Sequence, residues 1–479
     1  MPIRSADRRP TQPPICSGPI RRRDVLRLGL GGFASLSLPG LLNLRHAAAA
    51  TAGNELPTAV ILVWLRGGQS HLDTLDPKPG ASSEFRGPFA PISTSVPGLH
   101  VTELLPKLAA MADRYAVVRS LMHDGGGHPS GSLQMLSGDP DAADKLEPKY
   151  PDWMCIANHL RNKGPRAIPN YMAINPVDRY DSFTIAGPAY LGGGIDAFKV
   201  YGDPSRPEFE VPNIGLADVS QRTRLEGRVS LRASLDQLPR TVDQSGLLAA
   251  SDKFETQAVN MLLSAETRTA FDLSREPDTL RDRYGHHQWG QQCLLARRLV
   301  EAGVDIVTTE FDGPLCGRVQ NWDDHAVNHH VFDALSFRMP YVDQAVSALI
   351  EDVYQRGLDK RVLVIVTGEF GRTPRISYVA SSGGGVASAA AGIVQPGRDH
   401  WPGAGSMLFA GGGIRTGQVI GATDPRGETV IDRRVSPEDF LATIYQHLKI
   451  DFRNTAIEDF GGRPTPIIRE GNPIAELWS

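Results

Sequence analysis

The sequence predicts an α/β fold: a doubly wound, mostly parallel sheet with helices on both faces. Three observations predict it. Short apolar runs rich in branched side chains recur along the chain, and amphipathic stretches separate them. The first run, Ala59–Leu65, is broken by Gly67 and Gly68, and polar side chains able to bind a metal or a substrate follow at once. Continuous apolar runs read as strands buried on both faces, and ligands sit in the crevice beyond the carboxyl ends of such strands.

Ala59–Leu65 is the first strand; Gly67 and Gly68 turn the chain sharply, and Gln69, Ser70, His71 and Asp73 come next. Glu84–His100 is Pro-rich and irregular, and Thr102 is placed to cap a helix over Glu103–Asp113. Tyr115–Arg119 is the second strand, followed by His123, Asp124 and His128, and the first turns of a helix fall at Leu133–Leu136. Pro151–Arg161 reads as a helix, Tyr171–Ile174 as a strand and Ala186–Val200 as a surface loop. From Asn213 to about Arg283 the pattern is helical and charged, a helical insertion. Alternation then resumes: helix Gln288–Ala302, strand Asp305–Thr309, helix Val331–Arg356, strand Arg361–Thr367. The Gly-, Ala- and Ser-rich stretch Ser377–Gly397 reads as a flexible loop or insertion. Strand Ser406–Ala410 and helix Pro437–Leu448 complete the order.

At 41% hydrophobic and 22% charged residues, the composition is that of a globular protein. The first fifty residues hold a twin-arginine-like segment, Arg21-Arg22-Arg23-Asp24-Val25-Leu26-Arg27. A Gly- and Leu-rich run and then Ala47–Ala50 follow it. Residues 1–50 are therefore expected to be an export signal, removed to leave residues 51–479 as a periplasmic or secreted domain. A retained anchor is the alternative, but the run is at the short limit for a bilayer crossing. Without those residues the chain has 42 basic and 52 acidic groups, a net of −10. That argues against nucleic acid or anionic lipid as a partner. An anionic substrate stays open, because a metal reverses the charge locally. Three cysteines remain after cleavage, with no CxxC spacing; a Cys293–Cys316 disulfide is allowed by an oxidising compartment.

Five segments at or near strand ends carry candidate ligands: His71 and Asp73; His123, Asp124 and His128; Asp323, Asp324 and His325; Glu369 and Arg372; Asp399 and His400. Seven of the thirteen histidines fall in or beside them, counting His329 and His330. In a parallel sheet these ends converge on one edge. Mixed imidazoles and carboxylates suit zinc, manganese or iron better than calcium or magnesium. Each segment alone reads equally as a solvated loop; together they point to one shared site. Ser130 and Ser132 sit at a helix start, either as N-caps or as a hydroxyl that attacks phosphorus or sulfur. Arg372, after a glycine turn, is either a structural ion pair or a clamp for an anionic oxygen.

The ordered motifs GGQSHLDTLDPK, RSxMHDGGGH, GQQCLLARRLVEAGV, WDDH, GEFGRTP, GRDHWP and AGGGIRTGQVIGATD resemble a bacterial family. It is a twin-arginine-exported, planctomycete-type family catalogued mainly as a domain of unknown function, and the resemblance spans about residues 58–450. The family looks like a branch of the alkaline phosphatase and sulfatase superfamily. The resemblance implies an alkaline phosphatase-like fold and one or two metals holding a sulfate or phosphate ester; from the residue types the divalent metal is expected to be zinc or manganese. Asp323 and His325 look like its middle ligands and His400 like its late metal-binding histidine. Glu369 sits where the superfamily carries Asp–His or Asp–Asn. The usual first Asp is replaced by GGQSH, and His128 stands where the sulfatase formylglycine cysteine would be. The expected function is an exported metal-dependent hydrolase of small-molecule or glycan sulfate or phosphate esters. Its metal set would be His71, Asp73, Asp323, His325, Glu369, Asp399 and His400, the last carboxylates as ligands or as ligand orienters. Ser130 or His128 would act nearest the substrate and Arg372 on its anionic group, with the nucleophile open among Ser130, Ser132 and a metal-bound water. The alternative is a non-catalytic exported binding protein on the same scaffold, with a glycan ligand. Export implies the twin-arginine translocase as a transient partner, and no stable membrane span after cleavage.

Overall fold

The strand β1, Ala59–Trp64, runs through the middle of an eight-stranded sheet and is buried along its whole length. The coordinates are a computed structural model that describes residues 57–162, 168–211, 264–313, 315, 321–385 and 387–479. The expected export signal, most of the 213–283 insertion and Cys316 lie outside the described residues. In chain order the other strands are β2 (Tyr115–Leu121), β3 (Tyr171–Ile174), β4 (Phe198–Val200), β5 (Ile306–Glu310), β6 (Val362–Thr367), β7 (Gly405–Gly411) and β8 (Gln418–Ile420). Across the sheet they stand in the order β8-β2-β7-β6-β1-β5-β3-β4. All run parallel except β7, which is antiparallel to both β6 and β2.

Alternation along β1 feeds two cores. Ala59, Ile61 and Val63 enter one; Val60, Leu62 and Trp64 enter the other. Helices α3 (Gln288–Glu301) and α4 (Val331–Gln355) cover the first face with Leu294, Leu295, Leu299, Val342, Val346 and Leu349. Helices α1 (His128–Ser137), α2 (Trp153–Arg161) and α5 (Pro437–His447) cover the second with Met135, Leu136, Trp153, Ile156, Phe440 and Ile444. Fully burying one such aliphatic or aromatic side chain contributes roughly 1.5–3 kcal/mol. The unbroken apolar runs are therefore what commit these segments to the doubly wound arrangement.

The antiparallel β7 explains a departure from a simple strand-end rule. Asp399 and His400 precede β7, yet they reach the edge where the parallel strands finish, because β7 begins there. A two-residue pairing of Gly371–Arg372 with His400–Trp401 fixes Arg372 opposite His400 on that edge.

Four expectations change in detail. Ser377–Gly397 contains an antiparallel pair, Ser377–Ala380 with Val394–Gly397, and Gln395 Nε2 donates to the Ala326 carbonyl at 2.7 Å. Its β-forming Tyr378 and Val379 were masked by the small residues around them. Ala186–Val200 ends in the edge strand β4 rather than in a loop. Thr102 caps nothing: it closes the short strand His100–Thr102 and donates its hydroxyl to the Asp73 carbonyl. The helix that follows shortens to Pro106–Ala110, because proline occupies a first-turn position. Helix α1 begins at His128, five residues earlier than the apolar pattern suggested, with Pro129 in its first turn. Cys155 and Cys293 are buried free thiols. No described helix is long and apolar enough to cross a membrane.

Candidate metal centre

The turn after β1 sets the geometry of the edge. Gly67 and Gly68 take φ of +107° and +76°, and a Cβ on Gly68 would lie 2.5 Å from the Phe370 carbonyl oxygen. Only glycine permits this approach. It lets Gly67 N–H donate to Glu369 Oε1 at 2.9 Å, tying the ends of β1 and β6 together. Arg372 reinforces the turn: Nη2 donates to the Gly67 carbonyl and Nε to the Gly68 carbonyl at 3.1 Å.

Beyond β5 the chain reaches Asp323 through Trp322, whose N–H donates to the Arg66 carbonyl at 2.8 Å and whose indole donates to the Phe311 carbonyl at 2.9 Å. Asp324 is buried against the Arg338 guanidinium, which lies over the Trp322 ring. This strut aims the neighbouring Asp323 carboxylate outward. His128 at the start of α1, His325 in the following turn and His400 before β7 then meet it.

The four side chains bring one ligand atom each within 4.8 Å of one another. Asp323 Oδ1 lies 3.1 Å from His128 Nε2, 2.9 Å from His325 Nε2 and 3.2 Å from His400 Nε2. His325 Nε2 and His400 Nε2 are 3.0 Å apart. Each ring is held from behind through Nδ1: His128 by Glu369 Oε1 at 2.6 Å, His325 by Asp399 Oδ1 at 2.6 Å, His400 by the Gly126 carbonyl at 2.8 Å. A carbonyl only accepts, so the proton of neutral His400 sits on Nδ1 and its Nε2 carries a bare lone pair. Glu369 and Asp399 accept from Nδ1 of the other two rings in the same way, so that once the Nε2 protons facing Asp323 are displaced these rings too carry a lone pair on Nε2. Three lone pairs and a carboxylate oxygen thus converge with Arg372 Nη2, 3.0 Å from Asp323 Oδ1, as the one donor among the described residues. Metal bonds of about 2.0–2.1 Å put neighbouring ligand atoms about 3.0–3.4 Å apart, so the spacings fit a cation held by nitrogen and oxygen. Nδ1 held by a carboxylate or carbonyl is also how protein metal sites orient histidine.

Protein charges alone leave the group electrostatically tense. Burial pushes the Asp323 carboxyl up, but hydrogen bonds from the three imidazoles and the Arg372 charge outweigh it and hold it far below the usual carboxylate range. Burial opposes the charged forms of His128 and His325, yet Asp323 and their rear carboxylates raise both above the ordinary imidazole value. His400 is lowered, by burial and by the Arg372 and His128 charges. Tyr180 stacks on His128 at 4.0 Å, and Phe370 lies 4.7 Å from His400. These rings wall one side, while the Asp323, His325 and His400 side chains keep 17–24% of their surface.

Several sequence candidates lie outside this group. His71 is fully buried, with Nε2 bonded to the Gly427 carbonyl at 2.9 Å. Asp73 is committed to Arg398 Nε at 2.7 Å and to the Ser70 hydroxyl at 2.6 Å. Both were expected as ligands; each is held by its own internal partner, His71 through Nε2 alone with Nδ1 unpartnered among the described residues, and neither joins the four. Glu369 and Asp399 stand behind the imidazoles as orienters. Ser130 Oγ bonds within the Gly127 cap, accepting from Gly127 N–H at 3.1 Å, while Asp144 takes the Ser130 amide at 3.0 Å. The Ser130 hydroxyl therefore serves the helix start rather than a substrate. Ser132 Oγ is buried with no hydrogen-bond partner among the described residues. Arg372 is fully buried and donates to three carbonyls and Asp323, so it clamps the turn rather than a substrate anion. His128, expected nearest the substrate, stands inside the ligand group. His123 bonds the Glu369 carbonyl and Gln134, and His330 caps α4. Tyr180, Phe370 and the Gly126 carbonyl carried no sequence signal: two are apolar walls, and the third is backbone.

The family described as "Protein of unknown function (DUF1501)" matches residues 57–478. No curated protein matches the sequence. Among solved structures, Ps i-CgsB in complex with k-i-k-neocarrahexaose is similar at 9% identity and a TM-score of 0.37, covering 83% of this chain and 73% of that one. A mutant of the alkaline phosphatase PafA is similar at 8% identity and a TM-score of 0.36, covering 89% and 99%. The PsFucS1 sulfatase from Pseudoalteromonas sp. is similar at 12% identity and a TM-score of 0.33, covering 86% and 72%. TM-scores this far below 0.5 establish neither a shared fold nor a shared chemistry.

Proposed function

We propose, for a chain that belongs to the DUF1501 family, a metal-dependent hydrolysis of sulfate or phosphate esters. Zinc or manganese would be held by Asp323 and by Nε2 of His128, His325 and His400. The observation that carries this reading is the convergence of three acceptor nitrogens and a carboxylate, each ring locked from behind. Lewis acidity at an ester oxygen is what a divalent cation supplies there when bound.

The chain's own residues do the rest. Glu369, Asp399 and the Gly126 carbonyl keep the Nδ1 protons in place, so that the Nε2 lone pairs stay aimed inward. Tyr180 and Phe370 exclude water from one side. The open side, where His325 and His400 keep part of their surface, is the route for a small-molecule or glycan ester. We place the activity in the periplasm or outside the cell after twin-arginine export, on the strength of the N-terminal motif.

A second reading, a metal-bearing binding protein without turnover, is favoured by one observation: the Ser130 hydroxyl and the Arg372 guanidinium are both committed internally. Turnover of aryl phosphate and aryl sulfate by purified, metal-loaded protein separates the two. Release of product that disappears in His400→Ala supports hydrolysis. Bound metal and retained ester without product support binding. Absence of metal with unchanged His400→Ala activity removes the hydrolase reading.

A further inference from the structure

A cleft of about 540 Å³ opens near the far end of α1, lined by Ser137 and Gly138, the Lys149–Pro151 segment, Tyr190 and residues between Asp459 and Arg469, which include the turn and second strand of a hairpin that pairs Ala456–Glu458 with Pro464–Pro466. His128 stands nine residues before Ser137, so helix length alone puts the cleft about 14 Å from the metal group. Cavities of several hundred Å³ are the size that holds small ligands.

Its lining has two components. Aromatic rings supply the first. Phe460 projects from a tight turn at 86% exposure and meets Tyr190 edge-on at 6.2 Å. Tyr150 carries Arg469 over its ring at 5.5 Å and bonds its guanidinium at 2.7 Å. A single exposed ring is ordinary, but Phe460, Tyr190 and Tyr150 line one cleft together, and that grouping is what marks a contact surface. Positive charge supplies the second. Lys149, Arg463 and Arg469 are exposed and make no direct ion pair among the described residues, although the Arg463 charge acts on Asp459 and the Lys149 charge on Asp141. The one acid in the lining, Asp459, accepts the Gly461 and Arg463 amides at 2.8 and 3.0 Å, holding its own turn.

A local excess of cations stands against a chain whose formal net charge is −4. Flat rings that cover the apolar face of a pyranose, beside cations for its acidic substituents, fit one ligand class. We propose that this cleft binds an acidic oligosaccharide, through Phe460 and Tyr190 against sugar faces and Lys149, Arg463 and Arg469 on sulfate or carboxylate groups. Nucleic acid is disfavoured by the acidic remainder of the surface, which repels a polyphosphate. The site is separate from the metal group and stands whether or not that group performs hydrolysis.

Isothermal titration of the full chain in EDTA, at physiological salt, tests it with five probes. These are sulfated cellohexaose, hexagalacturonate, unmodified cellohexaose, inorganic sulfate and oligothymidylate. At least one acidic hexasaccharide binds tenfold or more tighter than cellohexaose and inorganic sulfate, and the tighter of the two identifies the acidic group. Phe460→Ala with Tyr190→Ala weakens that binding about tenfold. Arg463→Gln with Arg469→Gln removes the preference for acid, and His400→Ala leaves it intact. Because these cleft residues are surface groups, an unchanged melting temperature verifies each fold. Absence of binding to both acidic sugars, preference for oligothymidylate, or full affinity in the cleft variants overturns the proposal. Loss of sugar binding in His400→Ala assigns it to the metal group and overturns it equally.

Discussion

Two histidine–aspartate regions share the edge of the sheet, and they have opposite characters. Around His71 and Asp73 every charge is closed off: Asp73 pairs with Arg398, both side chains at zero exposure, and burial lowers the His71 pKa so that it stays neutral. Around Asp323 three imidazoles present lone pairs to a carboxylate oxygen, with partial access to solvent. The residue types are the same. What differs is the balance of donors and acceptors. Asp73 meets a guanidinium that neutralises it and forms a structural bolt; Asp323 shares the single Arg372 donor with three imidazole nitrogens, and that excess of acceptors makes a cation seat.

The contrast can be broken most forcefully at the bolt. Asp73→Ala strands the buried Arg398 charge and should cost about 3–5 kcal/mol of stability. The metal content per folded chain should stay unchanged, as denaturant unfolding paired with metal analysis will read. A large loss of metal without loss of stability would reverse the roles assigned to the two regions. Next in size, His325→Ala should weaken divalent-metal affinity by more than about 100-fold, since a direct ligand matters more than its orienting partner. Its metal-free melting temperature should stay close to that of the parent. Competition titration against a chromophoric chelator measures the affinity.

Glu369→Gln keeps the size of the side chain and an oxygen for the Gly67 amide, but weakens the hold on His128 Nδ1. Metal affinity should fall about 10–100-fold. If it is unaffected, Glu369 serves the β1 turn alone.

A gentler probe is pH. His128 and His325 bind their protons more tightly in the fold than in the unfolded chain. Their contribution to the metal-free protein is therefore fully present below the ordinary imidazole value of about 6.5, and it is lost as pH rises through their raised folded values. The metal-loaded protein should show the opposite slope, because those protons must leave before the cation is held. Melting curves with and without EDTA from pH 5.5 to 8.5 should converge on the acid side and separate on the alkaline side. Parallel curves would contradict the assignment.

How much of this was readable beforehand follows from the range of each force. The strands were legible because β1 and β6 are unbroken apolar runs, a property of neighbouring residues. Helices α3 and α4 were legible from their 3.6-residue periodicity. The hairpin within Ser377–Gly397 was not, because its strands are short and flanked by glycine and alanine. At the edge, the sequence marked the segments that hold Asp323, His325 and His400. It could not separate them from His71 and Asp73, whose partners Gly427 and Arg398 lie 356 and 325 residues away. Tyr180 and the Gly126 carbonyl were invisible for a related reason: stacking and backbone direction exist only after folding.

The central claim is most directly tested by counting metal. Purified protein loaded with zinc or manganese and dialysed should retain bound metal by inductively coupled plasma mass spectrometry. His71→Ala should retain the same amount per folded chain, and the Asp323→Asn, His325→Ala double variant almost none. A parent chain that retains no metal, or a double variant that binds as well as its parent, would contradict the account.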